Sequence, residues 1–170
     1  MSPEATKGAT SAGCGLEALR LRSVWRLLEE TLVRGDVEGT RTYFTRDFEL
    51  SMPLCPLLPR GPWAWTSAMR FYMRALSEVA LEEGPRFSEG DAVALHFTLH
   101  ARHSGVLGRI PPTGRVLAVS ALSFWQFRGG AIERAHLEFD LLRQVDELEL
   151  MALVTPRSLL AADELRERDP

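Results

Sequence analysis

Residues 91–127, DAVALHFTLHARHSGVLGRIPPTGRVLAVSALSFWQF, decide the fold. From Asp91 to His103 apolar and polar side chains alternate. Val93, Leu95, Phe97 and Leu99 fall on one face; His96, Thr98, His100 and Arg102 fall on the other. A period of two is the signature of a half-buried strand. The next eleven residues, SGVLGRIPPTG, are dense in glycine and proline and read as a turn. Arg115 to Phe127 is then a long strand, apolar on both faces and therefore central in a sheet. Gly129-Gly130 marks a hairpin, and Ala131 to Gln144 is the returning strand.

Upstream the period is helical. Residues 16–34, LEALRLRSVWRLLEETLVR, place Leu16, Leu19, Val24, Leu27, Leu28 and Leu32 near one face, with Gly35 as the stop. A shorter helix is expected over 36–46, a short strand over 48–52 and a third helix over 63–79. Between the last two stand Pro53, Pro56, Pro59 and Pro62, which make a loop because proline fixes φ and donates no ladder hydrogen bond. Helices first, then strands joined by hairpins, give an α+β fold. The expected architecture is a curved antiparallel sheet wrapped over three helices, leaving a cone-shaped pocket of the concave kind that small molecules occupy. Residues 1–15 read as a flexible leader, 16–146 as the cone domain and 147–170 as a partly helical, charged tail.

The 170-residue chain is long enough to bury its core without a metal or disulfide staple. Its net charge of -3 argues against a nucleic-acid partner. No apolar run reaches the roughly 18–20 residues that span a bilayer, and no secretory signal opens the chain, so the cytoplasm is the expected location. Cys14 and Cys55 form no framework. Lys7 is the single lysine among twenty basic residues, which removes Schiff-base chemistry from the folded part. The arginine excess fits a GC-rich bacterial genome. Phosphate-binding loops, dinucleotide fingerprints and close-spaced metal ligands are all missing from the pattern, so no cofactor and no metal are expected.

Four motifs stand in order along this framework. Gly35-Asp36 is followed by Tyr43-Phe44 and Asp47. His103-Ser104-Gly105 is followed by Gly108-Arg109-Ile110-Pro111-Pro112-Thr113-Gly114-Arg115. Phe127 to Glu133 reads FRGGAIE, and His136 precedes Asp140 by four residues. Together they resemble the SnoaL-like polyketide cyclases over about residues 16–145. The chain departs from that family at Ala131, where a lysine is usual, and in the short segment from Asp140 to Asp146.

The resemblance implies a nuclear-transport-factor-like cone and a dimer or larger assembly. It also implies an intramolecular aldol closure of an aromatic, polyketide-like molecule in antibiotic-type secondary metabolism. Asp140 and His136 become the candidate acid–base pair. A carboxylate inside an apolar cone loses hydration and gains basicity, and such catalysis is worth roughly 10²–10⁴-fold. Related cones open epoxides or isomerise ketosteroids, and others only bind or dimerise, so these functions stand as alternatives.

The residues themselves leave the placement of Asp140 open. Strict alternation puts Ile132, Arg134, His136, Glu138 and Asp140 on one face, with Ala135, Leu137, Phe139 and Leu141 on the other. A polar row in solvent, a polar row in the pocket, and an apolar row in a dimer interface all satisfy that pattern. Tyr43, Trp63, Trp65, Tyr72, His100, His103, Phe124 and Glu138 are the further candidates for contacting a substrate. The aromatics among them serve equally well as core. His103 serves equally well as a brace for the Pro-Pro-Thr-Gly turn.

Overall fold

A computed structural model describes residues 11–52, 58, 60–107 and 110–140. Helix α1 spans Ser11–Leu28, five residues longer at its start than the sequence pattern indicates. It continues as a widened π-turn over Glu29–Val33 and stops at Gly35, whose φ of 72° suits glycine. The expected second helix is only a 3₁₀ segment, Gly39–Tyr43. Strand β1 follows directly as Phe44–Ser51, and helix α2 as Trp63–Met73. The remaining strands are β2 (Leu76–Glu89), β3 (Ala92–His103), β4 (Val116–Arg128) and β5 (Ala131–Phe139). Pro53, Pro56, Pro59, Gln144 and the tail lie outside the described residues.

The five strands form one curved sheet, ordered β1-β5-β4-β3-β2. Three pairings are antiparallel, as the hairpins require, but β1 runs parallel to β5. Strand β2 was hidden in the sequence. The helical pattern over 63–79 ends early, at Met73, because the backbone N–H groups of Ser104 and Gly105 donate to Ala75 O (2.9 and 3.0 Å) and pin the chain there. As an edge strand β2 is largely exposed and tolerates Pro85, so its alternation is faint.

The core lies between the sheet and the helices. Strand β3 alternates as expected: Val93, Leu95, Phe97 and Leu99 are buried. They pack with Leu27 and Leu28 of α1 and with Trp65 of α2. Trp65 and Trp125 are buried edge to face, with ring centroids 5.6 Å apart. Each indole N–H finds an acceptor: Trp65 Nε1 donates to Thr31 Oγ1 (3.1 Å) and Trp125 Nε1 to Ser123 Oγ (2.9 Å). A buried indole N–H needs such a partner. Thr31 sits in the π-turn, so the widened helix delivers the acceptor.

Strand β5 departs from strict alternation. Ile132 pairs with Phe127, but Arg134 pairs with Gln126, so Glu133 is an extra residue in the ladder. Such a bulge flips the phase of everything beyond it. Ile132 is therefore buried, as are Ala135 and Leu137, whereas His136, Glu138 and Asp140 are exposed. The sheet thus has an inner face against the helices and an outer face carrying the polar row.

Candidate functional site

Two hollows flank the sheet. The inner one is a cavity of about 50 Å³ at one end of the cone. Its walls come from the start of β2 (Leu76), the end of β3 (Leu99, Ala101), the start of β4 (Leu117, Val119) and the end of β5 (Phe139). Met69, Tyr72 and Met73 of α2 close it from the other side. The four strand ends meet there because β3 and β4 are joined by the Pro-Pro-Thr-Gly turn at that end. Methionine and leucine give the cavity adaptable apolar walls.

The outer hollow is wider, about 570 Å³. Phe124, Gln126, Arg134 and His136 line it, with Glu49 from β1 and Phe87 from β2. Its rim carries exposed apolar surface, since Phe124 is 48 % and Leu122 42 % exposed.

The candidate residues divide between the inner and outer faces, and few of them line a hollow. Tyr72 lines the inner cavity. His103 lies on the same inner face and is buried. His136 stands on the outer face, with Nε2 3.0 Å from Glu138 Oε1. His100 is also outward, 3.0 Å from Glu82 Oε2, and Phe124, the ladder partner of His136, is half exposed. Asp140 is exposed at the end of β5, immediately after the cavity wall Phe139, and its backbone N–H donates to Ser120 O (2.9 Å). The expectation of an enclosed carboxylate and imidazole is therefore corrected: the Glu133 bulge turns His136 outward, and Asp140 is exposed just beyond the end of β5.

Of the candidates, only Tyr72, Phe124 and His136 line a hollow; Trp65, Trp63 and Tyr43 lie apart from both, as do His100, His103, Glu138 and Asp140. Trp65 is core. Trp63 is exposed under the Arg41 guanidinium, 4.4 Å from its ring centroid. The Tyr43 hydroxyl donates to Glu30 Oε2 (2.9 Å), and burial together with that carboxylate raises its pKa above the usual phenol value. Arg26, bonded to the same carboxylate, holds Glu30 below its ordinary value. No cluster of His, Cys, Asp and Glu suited to a metal ion occurs among the described residues. No described helix is long and apolar enough to cross a membrane.

Sequence reading missed most of the cavity wall. Leu99 was legible as inward-facing, but Met69, Met73 and Phe139 looked like ordinary core. The bulge that makes Phe139 an inward residue has no sequence signature beyond the failure of even alternation.

A curved sheet over helices with a small apolar end-cavity defines a cone-type α+β protein. The family model described as SnoaL-like polyketide cyclase matches residues 22–148, and the chain belongs to that family. Solved structures agree on the fold. A candidate SnoaL-like polyketide cyclase from Jannaschia sp. CCS1 superposes with a TM-score of 0.68 at 17% identity, covering 89% of this chain and 99% of that one. IdmH from Streptomyces antibioticus, a candidate polyketide cyclase, gives 0.63 at 22% identity over 75% and 96%. AclR from Streptomyces galilaeus, a candidate hydroxylase, gives 0.64 at 20% identity over 76% and 93%. At these identities the likeness concerns the fold. No curated protein matches the sequence.

Proposed function

We propose that this chain is an enzyme of secondary metabolism that closes a ring in an apolar, polyketide-like molecule by intramolecular aldol addition. The observation that carries this reading is the inner cavity. Its walls are apolar throughout, and one of them, Phe139, immediately precedes the exposed Asp140 in the chain. The present hollow of about 50 Å³ has to widen, by movement of the Met69 and Met73 walls, to admit the folded substrate; once seated, a near-attack geometry removes entropy from the barrier. Asp140 takes the proton from the carbon that becomes the nucleophile and returns one to the new alkoxide. No added cofactor has a role in this scheme.

The test is turnover of a synthetic poly-β-carbonyl chain, followed by mass spectrometry of the cyclised product. Asp140→Asn is expected to lower kcat by about 10²–10⁴-fold while the fold is retained. Retention of full activity by Asp140→Asn would remove this residue from the chemistry. An epoxide-opening reaction would show itself instead as diol or ether products from an epoxide substrate.

His136, His100, Glu138 and Phe124 have a different use in this reading. Phe124 forms the exposed apolar patch of the outer face with Leu122; His136 and Glu138 are their ladder partners on β5, and His100 stands farther along β3. The proposed assembly is a cytoplasmic homodimer in a bacterium, formed by stacking two outer faces.

A further inference from the structure

Ladder register lines up the outer-face side chains in rows across the sheet. One row runs Phe87, Ala94, Phe124 and His136, from β2 to β5. The next, two residues along each strand, runs Glu89, Ala92, Gln126 and Arg134. All of these residues line the outer hollow of about 570 Å³. The hollow exists because β3 supplies only alanine in both rows, between taller neighbours on β2 and β4. Phe87 is 73 % exposed and Phe124 48 %, and large apolar rings left side by side in water mark an interaction surface. Strands lie about 4.8 Å apart, so the two rings rise roughly 10 Å from one another, with a gap above Ala94. A gap of that width admits one more ring, at about the 5 Å spacing of aromatic pairs.

The rows are their own complement. A second copy related by a two-fold axis parallel to the strands, midway between β3 and β4, sets β3 over the partner's β4 and β2 over the partner's β5. In the first row Phe124 then enters the gap above the partner's Ala94, and Phe87 covers the partner's His136. Rings of the two copies alternate in one stack. In the second row Gln126 comes over the partner's Ala92, and Glu89 meets the partner's Arg134. Arg134 is 66 % exposed and stands 3.6 Å from its own Glu49, which leaves room for a second carboxylate. On the other side of the first row, His96, Leu122 and Glu138 are ladder partners, and Gly84 lies against His96. There Leu122 meets the partner's His96, and Glu138 passes over the partner's Gly84, which has no side chain to obstruct it.

Other axes fit worse. One over β4 would set Phe124 on itself and Glu89 against the partner's Glu49. One over β3 would place Ala94 on Ala94 and leave the hollow empty. We infer that the outer hollow is the socket for Phe124 of a second copy of this chain, in a two-fold interface flanked by reciprocal Glu89–Arg134 pairs. The inference rests on the outer face being the assembly surface, and it fixes the register of that assembly. Facing sheets pack about 10 Å apart and cross at about 30°, so the match is closest in these central rows.

The experiment measures the dimer dissociation constant of the full chain by sedimentation, with circular dichroism as the control for folding. Ala94→Leu fills the socket and should weaken the dimer about tenfold or more. Glu89→Arg and Arg134→Glu each set like charges face to face and should weaken it by a similar factor, whereas the double variant restores the opposite pairing and most of the affinity. All three side chains lie on the outer face, and Glu89 and Arg134 are exposed, so the charge series decides even if Ala94→Leu fails to fold. A dimer that Glu89→Arg strengthens has the axis over β4 and overturns this register while the outer-face assembly stands. So does a dimer indifferent to Ala94→Leu and to the charge swap but broken by Phe124→Glu. A monomeric wild type overturns both the register and the assembly.

Discussion

Arg128, beside the β4–β5 hairpin turn, bonds to Asp47 on β1 and lies 2.9 Å from Glu133. Its hydrogen bond to Asp47, helped by the Thr45 side chain, holds that carboxyl below its ordinary pKa. Arg102 does the same for Glu78, and Arg26 for Glu30. A carboxyl with a depressed folded-state pKa adds stability above its unfolded value, and that addition is lost as pH falls through the folded value. Urea unfolding midpoints are therefore expected to decline as pH drops below about 4. Arg128→Gln should flatten the Asp47 share of that decline. Both Asp47 and Arg128 are exposed, so the effect at neutral pH is small. A midpoint independent of acid pH in the wild type would contradict the pairing.

Between elements, the junction of α2 and β2 is set by a close approach. A Cβ added at Gly105 would lie 2.1 Å from the Arg74 carbonyl oxygen, inside any allowed contact. Gly105→Ala is expected to push the 103–105 turn off Ala75 and to destabilise the protein by about 1–3 kcal/mol, measured by thermal or urea unfolding. An unchanged midpoint would show that the turn yields freely. The same junction holds Leu76 opposite His103, so the variant should also weaken binding of apolar ligands in the inner cavity.

At the scale of the whole molecule, the outer face carries the proposed association surface. Phe124→Glu places a carboxylate in the middle of it and is expected to convert a dimer into a monomer in sedimentation experiments. Folding should survive, because Phe124 is half exposed and lies off the core. A monomeric wild type, or a variant that still dimerises, would sink the outer-face assembly.

Part of this organisation was legible in the residues alone. The alternation of β3, the doubly apolar β4 and the Gly129-Gly130 turn are local matters of period and backbone preference, and they appear where expected. The four motifs carried the family for the same reason, since each lies within one short stretch of chain. Tertiary structure decided the rest. The parallel pairing of β1 with β5 joins segments some ninety residues apart in the sequence. Strand β2 exists because the 103–105 turn captures Ala75, a contact invisible to any window of neighbouring residues. The placement of Asp140 and His136 hung on one extra residue at Glu133, because a strand changes face at every step and a single bulge inverts all that follows.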